Sequence, residues 1–181
     1  KSIPKLADLL CQLEESGHRP EYHHLIMLLD IGGTKKNPDL TLLSAAEFSH
    51  AHAHVLALLL GRGDEAFTAE VPRKLDARRV MIAGMQGWNA DEDLILKELG
   101  IRHIPPAVLA DSSRPILDWI ETEGITHLAV HFDLDVLDPA HFSPLLFNRP
   151  GMPEGAFDGI EQGRMQLDQV VRLLKEIGAA V

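Results

Sequence analysis

Cysteine is almost missing. Cys11 is the only one in 181 residues, so no disulfide can form within the chain, which fits a reducing compartment such as the cytoplasm. Cys11 lies beside Leu6, Leu9, Leu10 and Leu13 and reads as a core or boundary residue, because a free thiol packs like a small hydrophobe. Long apolar runs are missing too: stretches such as Val55 to Leu60 fall far short of the ~20 residues that a membrane-spanning helix needs. No charged-then-apolar segment opens the sequence, so no secretory leader is expected. Basic charge is scarce, with 17 Lys and Arg against 27 Asp and Glu and a net charge of −10. That balance repels nucleic acid and anionic membrane, and it suits small or cationic molecules as partners.

Hydrophobic residues make up 45% of the chain, enough for one sizeable core, and residues 1–181 read as a single domain. Residues 5–16 carry this leucine stripe at helical spacing, ending near Gly17. Leu25-Ile26-Met27-Leu28-Leu29-Asp30 is a continuous apolar run followed by Gly32-Gly33, the pattern of a strand buried on both faces. Thr34 to Asp39 reads as loop, Ala51 to Leu60 as a buried helix stopped by Gly61, and Asp64 to Val71 as a short amphipathic helix. A regular alternation follows. Val80 to Ala83, Ile101 to Ile104 and His127 to Asp133 read as strands; Ala90 to Leu99, Arg114 to Thr122 and Gln166 to Ile177 read as helices. Such alternation indicates βαβ units around a parallel sheet, an α/β fold. His141 to Gly163 breaks the rhythm with Pro144, Pro150, Pro153 and four glycines. A loop of that length is either a functional rim over the strand ends or a mobile segment.

The chemistry concentrates in His131-Phe132-Asp133-Leu134-Asp135-Val136-Leu137-Asp138-Pro139. In a strand, residues two apart share a face, so Asp133 and Asp135 are expected to point together at the carboxyl edge of the sheet, where open α/β sheets bind ligands. Two carboxylates about 6–7 Å apart along a strand repel each other unless a cation or strong donors lie between them. Hard divalent cations supply that compensation. A pair of solvated surface acids is the plainer alternative, disfavoured by the apolar Leu128-Ala129-Val130 before it and Asp138-Pro139 after it. His50, His52 and His54 alternate ahead of an apolar helix, and on their own they also read as a solvated, adventitious chelator.

The nine residues from His131 to Pro139 resemble the arginase-type (ureohydrolase) signature S-F-D-x-D-x-x-D-P at every position but the first. Other segments follow in the family's order. Leu25 to Asp30 is similar to the strand leading into its D-A-H-x-D motif, and His52 to Gly61 is similar to its H-G-x-P-x-x-x-L-L-G segment. Ala83 to Asn89 resembles a G-L-R-D-x-D strand end, and Gly163 to Gln169 resembles the late G-x-x-T-x-x-E segment. The resemblance implies a three-layer α/β/α fold with a mainly parallel sheet. It further implies two manganese ions (Mn2+) that activate water for attack on a guanidino or related C–N bond, releasing urea or a similar product. Carried over by position, Asp133 would bridge the metals, Asp135 would hold one, and Asp30 would be a second bridging ligand. His52 matches the proton-shuttling histidine, a role that its near-neutral pKa suits. Asn89 and Gln169 stand at substrate-binding positions. A small guanidino-type substrate and a homo-oligomer are the implied partners.

The departures are specific. Gly32 and Thr34 stand where the first metal motif has a histidine and an aspartate; a shifted alignment keeps Asp39 but puts Lys35 and Asn37 at ligand positions. Nothing in Lys1 to Pro20 matches the upstream G-G-D-H/C segment. The family continues beyond a final helix where this chain stops at Val181, so the domain reads as shortened at both ends. A second function class therefore stands beside the first: an arginase-fold binding or oligomer-forming subunit without a complete metal site. A third reading comes from Leu29-Asp30-Ile31-Gly32-Gly33-Thr34-Lys35, which resembles the phosphate-binding turn of actin-like sugar kinases, although Asn37-Pro38-Asp39 interrupts the strand that should follow.

Overall fold

Four consecutive residues, Val80 to Ala83, have essentially no solvent exposure. A strand buried on both faces needs cover on both, and the chain supplies it as two separate cores. Met81 and Ala83 pack into one with Ile104, Leu109, Ile116, Trp119, Leu173 and Ile177. Val80 and Ile82 pack into the other with Leu56, Ala57, Leu96 and Ile101. The two-residue period of the strand thus divides its side chains between two helical layers, giving a three-layer α/β/α arrangement.

A computed structural model of the chain describes residues 24–29, 54–85, 90–158 and 161–181. Its strands are β1 (His24–Leu29), β2 (Val80–Ala83), β3 (Arg102–Ile104) and β4 (His127–Phe132). Its helices are α1 (Val55–Leu59), α2 (Glu65–Thr68), α3 (Ala90–Leu99), α4 (Pro106–Leu109), α5 (Arg114–Glu123) and α6 (Leu167–Gly178). The sheet order is β3-β2-β1-β4, and every pairing is parallel. The leucine-striped helix, Cys11, Asp30, the Thr34 to Asp39 loop, His50, His52 and Asn89 lie outside the described residues.

The expected alternation from β2 onward is present, with shifts of one or two residues at element ends. Asp64 to Val71 tightens to the single turn of α2, and the short α4 was not foreseen. It begins on consecutive prolines, with Pro106 inside its first turn, where a missing N–H costs nothing. Gly124 ends α5 with φ of 61°, a left-handed cap that glycine adopts without a Cβ penalty. The guanidinium of Arg172 in α6 donates to Ala110 O at 2.9 Å and Leu109 O at 2.5 Å, tying the end of α4 to the last helix.

One expectation needs correction. The apolar run before the aspartates predicts a buried strand, but β4 is only half-buried, with Val130 39% exposed. It stands at the end of the described sheet order, so it has one described neighbour where β2 has two. Where described, the long segment from 141 to 163 is built of turns, as its prolines and glycines lead one to expect. Leu145 is buried, Asn148 Nδ2 donates to Pro139 O at 2.7 Å, and Phe147 meets Phe157 edge-on with ring centroids 5.3 Å apart.

Ile116, fully buried, should lose about 2–5 kcal/mol of stability on change to Ala, the range for emptying an aliphatic core site. Val171, 41% exposed on α6, should change by about 0.5 kcal/mol or less. Urea denaturation of the two variants checks the contrast.

Candidate functional site

Strand β4 stops at Phe132, one residue short of the expected end, and the reason is Asp133. Its Oδ1 accepts the N–H of Asp135 at 3.0 Å, the local side-chain-to-backbone bond by which Asp leaves a ladder and starts a turn. A 3-10 turn over Leu134–Val136 follows, closed by the Leu137 N–H to Leu134 O at 2.9 Å. The two carboxylates are therefore brought together by a capped turn, not by the pleat of a strand. Val136 and Leu137, both fully buried, anchor the turn from beneath.

Asp135 is half-buried, and its carboxyl is held above the usual range, first by loss of solvent and second by the negative charge of Asp133. Both causes oppose ionisation, and both are relieved by a cation. Asp138 shows the opposite sign: it lies below the usual range, chiefly through the Ala140 N–H it accepts at 2.8 Å. His141 Nδ1 at 3.0 Å and Gln166 Nε2 at 3.4 Å reach its other oxygen. Asp138 is thus a satisfied turn residue, whereas among the described residues both influences on Asp135, burial and Asp133, oppose its charge.

Leu29 in β1 pairs with Phe132 in β4, and an aspartate follows each, Asp30 and Asp133. Hard carboxylate oxygens suit a hard divalent cation, so Asp133 and Asp135 fit part of such a donor set. Among the described residues no group of three or more His, Cys, Asp or Glu is placed to share an ion. His54 is buried ahead of α1, which removes it from a solvated histidine cluster. Gln169 lies in the first turn of α6, where its Oε1 accepts the Gln166 N–H at 2.9 Å. A cleft of about 530 Å3 between β3 and α5, lined by Met81, Ile104, Asp118 and Trp119 among others, includes none of the acids from Asp133 to Asp138.

Sequence reasoning missed what lies behind the turn. Met165 forms a parallel bridge with Leu137, and Gly163 packs directly on the Asp135–Val136 backbone. The available signal was a glycine followed by an apolar residue just before a helix, in a segment already matched to a motif.

The charge on Asp135 has a stability consequence. Below the ordinary carboxylate value of 3.8, folded and unfolded chains both hold the proton and the group contributes nothing. As pH rises, the unfolded chain ionises first, and ionisation of the folded form is penalised; the loss grows until pH passes the raised folded value and then stays constant. Asp135→Asn should therefore raise the melting temperature of chelator-treated protein at pH 7, with the gain vanishing below about pH 4. A gain that persists undiminished at pH 3 in thermal melts would contradict that assignment.

No family model and no curated protein matches the sequence. Solved structures do. The arginase of Entamoeba histolytica, crystallised with L-ornithine, superposes with a TM-score of 0.70 at 15% identity, covering 98% of this chain and 54% of that one. The arginase of Bacillus caldovelox gives 0.68 at 16% identity over 99% and 63%. That of Bacillus subtilis gives 0.70 at 16% over 98% and 66%. The chain thus spans about half to two thirds of the length of these arginases. At such identities the match speaks for architecture alone, and what it says is plain: this chain has an arginase-like fold.

Proposed function

We propose that the protein is a metal-dependent hydrolase of the arginase type that cleaves a guanidino or related C–N bond. The observation carrying this reading is the capped turn after β4, which places Asp135, half-buried and charge-strained, beside Asp133 at the carboxyl edge of a parallel sheet. The arginase-like fold supports it at the level of architecture.

In this reading Asp133, Asp135 and Asp30 hold manganese, with Asp39 as an alternative donor. When bound, manganese supplies Lewis acidity and lowers the pKa of water to near neutrality. Asp133 is pre-set for its part: Oδ1 is fixed by the Asp135 N–H, which leaves Oδ2 for a ligand in one rotamer. His52 carries a proton to the departing amine, as an imidazole can near pH 7. Asn89 and Gln169 face the far end of the substrate. Both are neutral amides and offer no counter-charge to the ammonium that arginine and agmatine carry beside the guanidinium. A simple guanidino acid or amidine is therefore favoured over arginine or agmatine. Among the described residues no helix is long and apolar enough to cross a membrane; a cytoplasmic homo-oligomer completes the proposal.

The second reading is an arginase-fold subunit that binds or assembles without a complete metal site; Asp30, Asp39 and His52, which would complete the donor set, lie outside the described residues. The sugar-kinase reading gains nothing, because both described neighbours of β1 run parallel to it.

Elemental analysis after manganese loading and dialysis separates the readings. About two manganese per chain are expected, as in two-metal hydrolases, with both lost in Asp133→Ala. Urea release should be faster from guanidino acids than from arginine. A wild-type protein that retains no manganese would refute the hydrolase and leave the metal-free subunit.

A further inference from the structure

Gly163 is buried, and its φ is not positive. Its lack of a side chain is needed for space rather than for backbone freedom: a Cβ there would overlap Asp135 O and the carbonyl of Val136. Just beyond it, the Met165 N–H donates to Val136 O at 3.1 Å and the Asp138 N–H donates to Met165 O at 2.9 Å. Gln166 reaches the Asp138 carboxylate at 3.4 Å and opens α6. That helix is fixed in the core by Val170, Leu173 and Ile177. The turn bearing Asp133 and Asp135 is thus gripped from behind by residues 163–166, over the same carbonyls that a Cβ at 163 would displace.

We propose that Gly163, with the 163–166 segment, is a positioning element for the carboxylate pair, so that docking of this segment and occupancy of the site by a divalent cation are coupled. The inference rests on the metal reading of Asp133 and Asp135. The Asp135 carbonyl lies against Gly163, so the segment sets the orientation of the residue from its main chain outward, and a packed backbone contact transmits displacement rather than absorbing it. Coupling of this kind is reciprocal: what loosens the segment weakens the cation by the factor that the cation tightens the segment.

The test uses Mn2+ alone as probe, with calorimetric titration and amide hydrogen exchange. Mn2+ should slow exchange at the Met165 and Asp138 amides of the wild type while leaving Leu173, in the middle of α6, unchanged. Gly163→Ala should speed exchange at those two amides and weaken Mn2+ by about 10–100-fold, the range for supports behind metal ligands. Gln166→Ala removes the side-chain contacts to Asp138 and His141 and its half of the α6 capping box, and should act in the same direction more weakly. A folded Gly163→Ala that binds Mn2+ as tightly as wild type overturns the inference. So does Mn2+ uptake by wild type without protection of Met165, a measurement that stands even if Gly163→Ala fails to fold. Failure of wild type to bind Mn2+ at all overturns the metal reading itself, and this inference with it.

Discussion

Parallel pairing is the constraint on which the rest depends. Because β1 runs parallel to both β2 and β4, the carboxyl ends of these strands lie at one edge, and the turn that carries Asp133 and Asp135 leaves β4 there. Antiparallel pairing of the same segments would set neighbouring carboxyl ends at opposite edges. Parallel sheets are stable only when both faces are covered. Here α4, α5 and α6 contribute to the core on one face of β2, and α1 and α3 to the core on the other. The geometry of the acids is therefore a consequence of apolar burial some distance from them.

That separation matters for the energetics. Among the described residues, burial and Asp133 both oppose the charge of Asp135. The turn persists because Val136 and Leu137 are fully buried beneath it and Gly163 closes over its backbone. Apolar packing holds a charge pair in an arrangement that its own electrostatics disfavour. Strain of this sort concentrates where a ligand is to be bound, which gives the physical ground for reading a site here. Asp138, three residues on, is the internal control. It has the same chemistry in the same loop, yet its carboxylate is satisfied by Ala140, His141 and Gln166 and pulled the other way.

Much of this was legible in the residues, and the parts that were not have identifiable causes. Val80 to Ala83 announced a strand by composition, though not its burial on both faces, and the glycines directly after Leu99 and Glu123 stand where two helices end. Burial of β4 was misjudged because Leu128-Ala129-Val130 reports apolarity, while exposure depends on whether a strand has neighbours on both sides. Asp133 and Asp135 were paired by strand period, whereas the actual agent is an aspartate capping its own turn, a competitor to the ladder that period alone does not weigh. Gly163 escaped because a glycine excluded from bearing a Cβ by a contact 28 residues away carries no local mark. Tertiary approach, not propensity, decides such positions.

Gln169 shows how far fold and site can be disentangled. Its Oε1 closes the first turn of α6 on the Gln166 N–H, the part that Glu or Gln plays equally well at the third position of a helix. A glutamate there, as in the ureohydrolase motif this segment resembles, would make the same bond and add a charge that the helix N-terminus favours. Helix stability therefore gives no reason to prefer the neutral amide. The neutral amide at position 169 is thus a departure from the motif that the helix itself does not require. Asn89 is neutral at its motif position too, so both departures remove a negative charge that the resembled motifs carry.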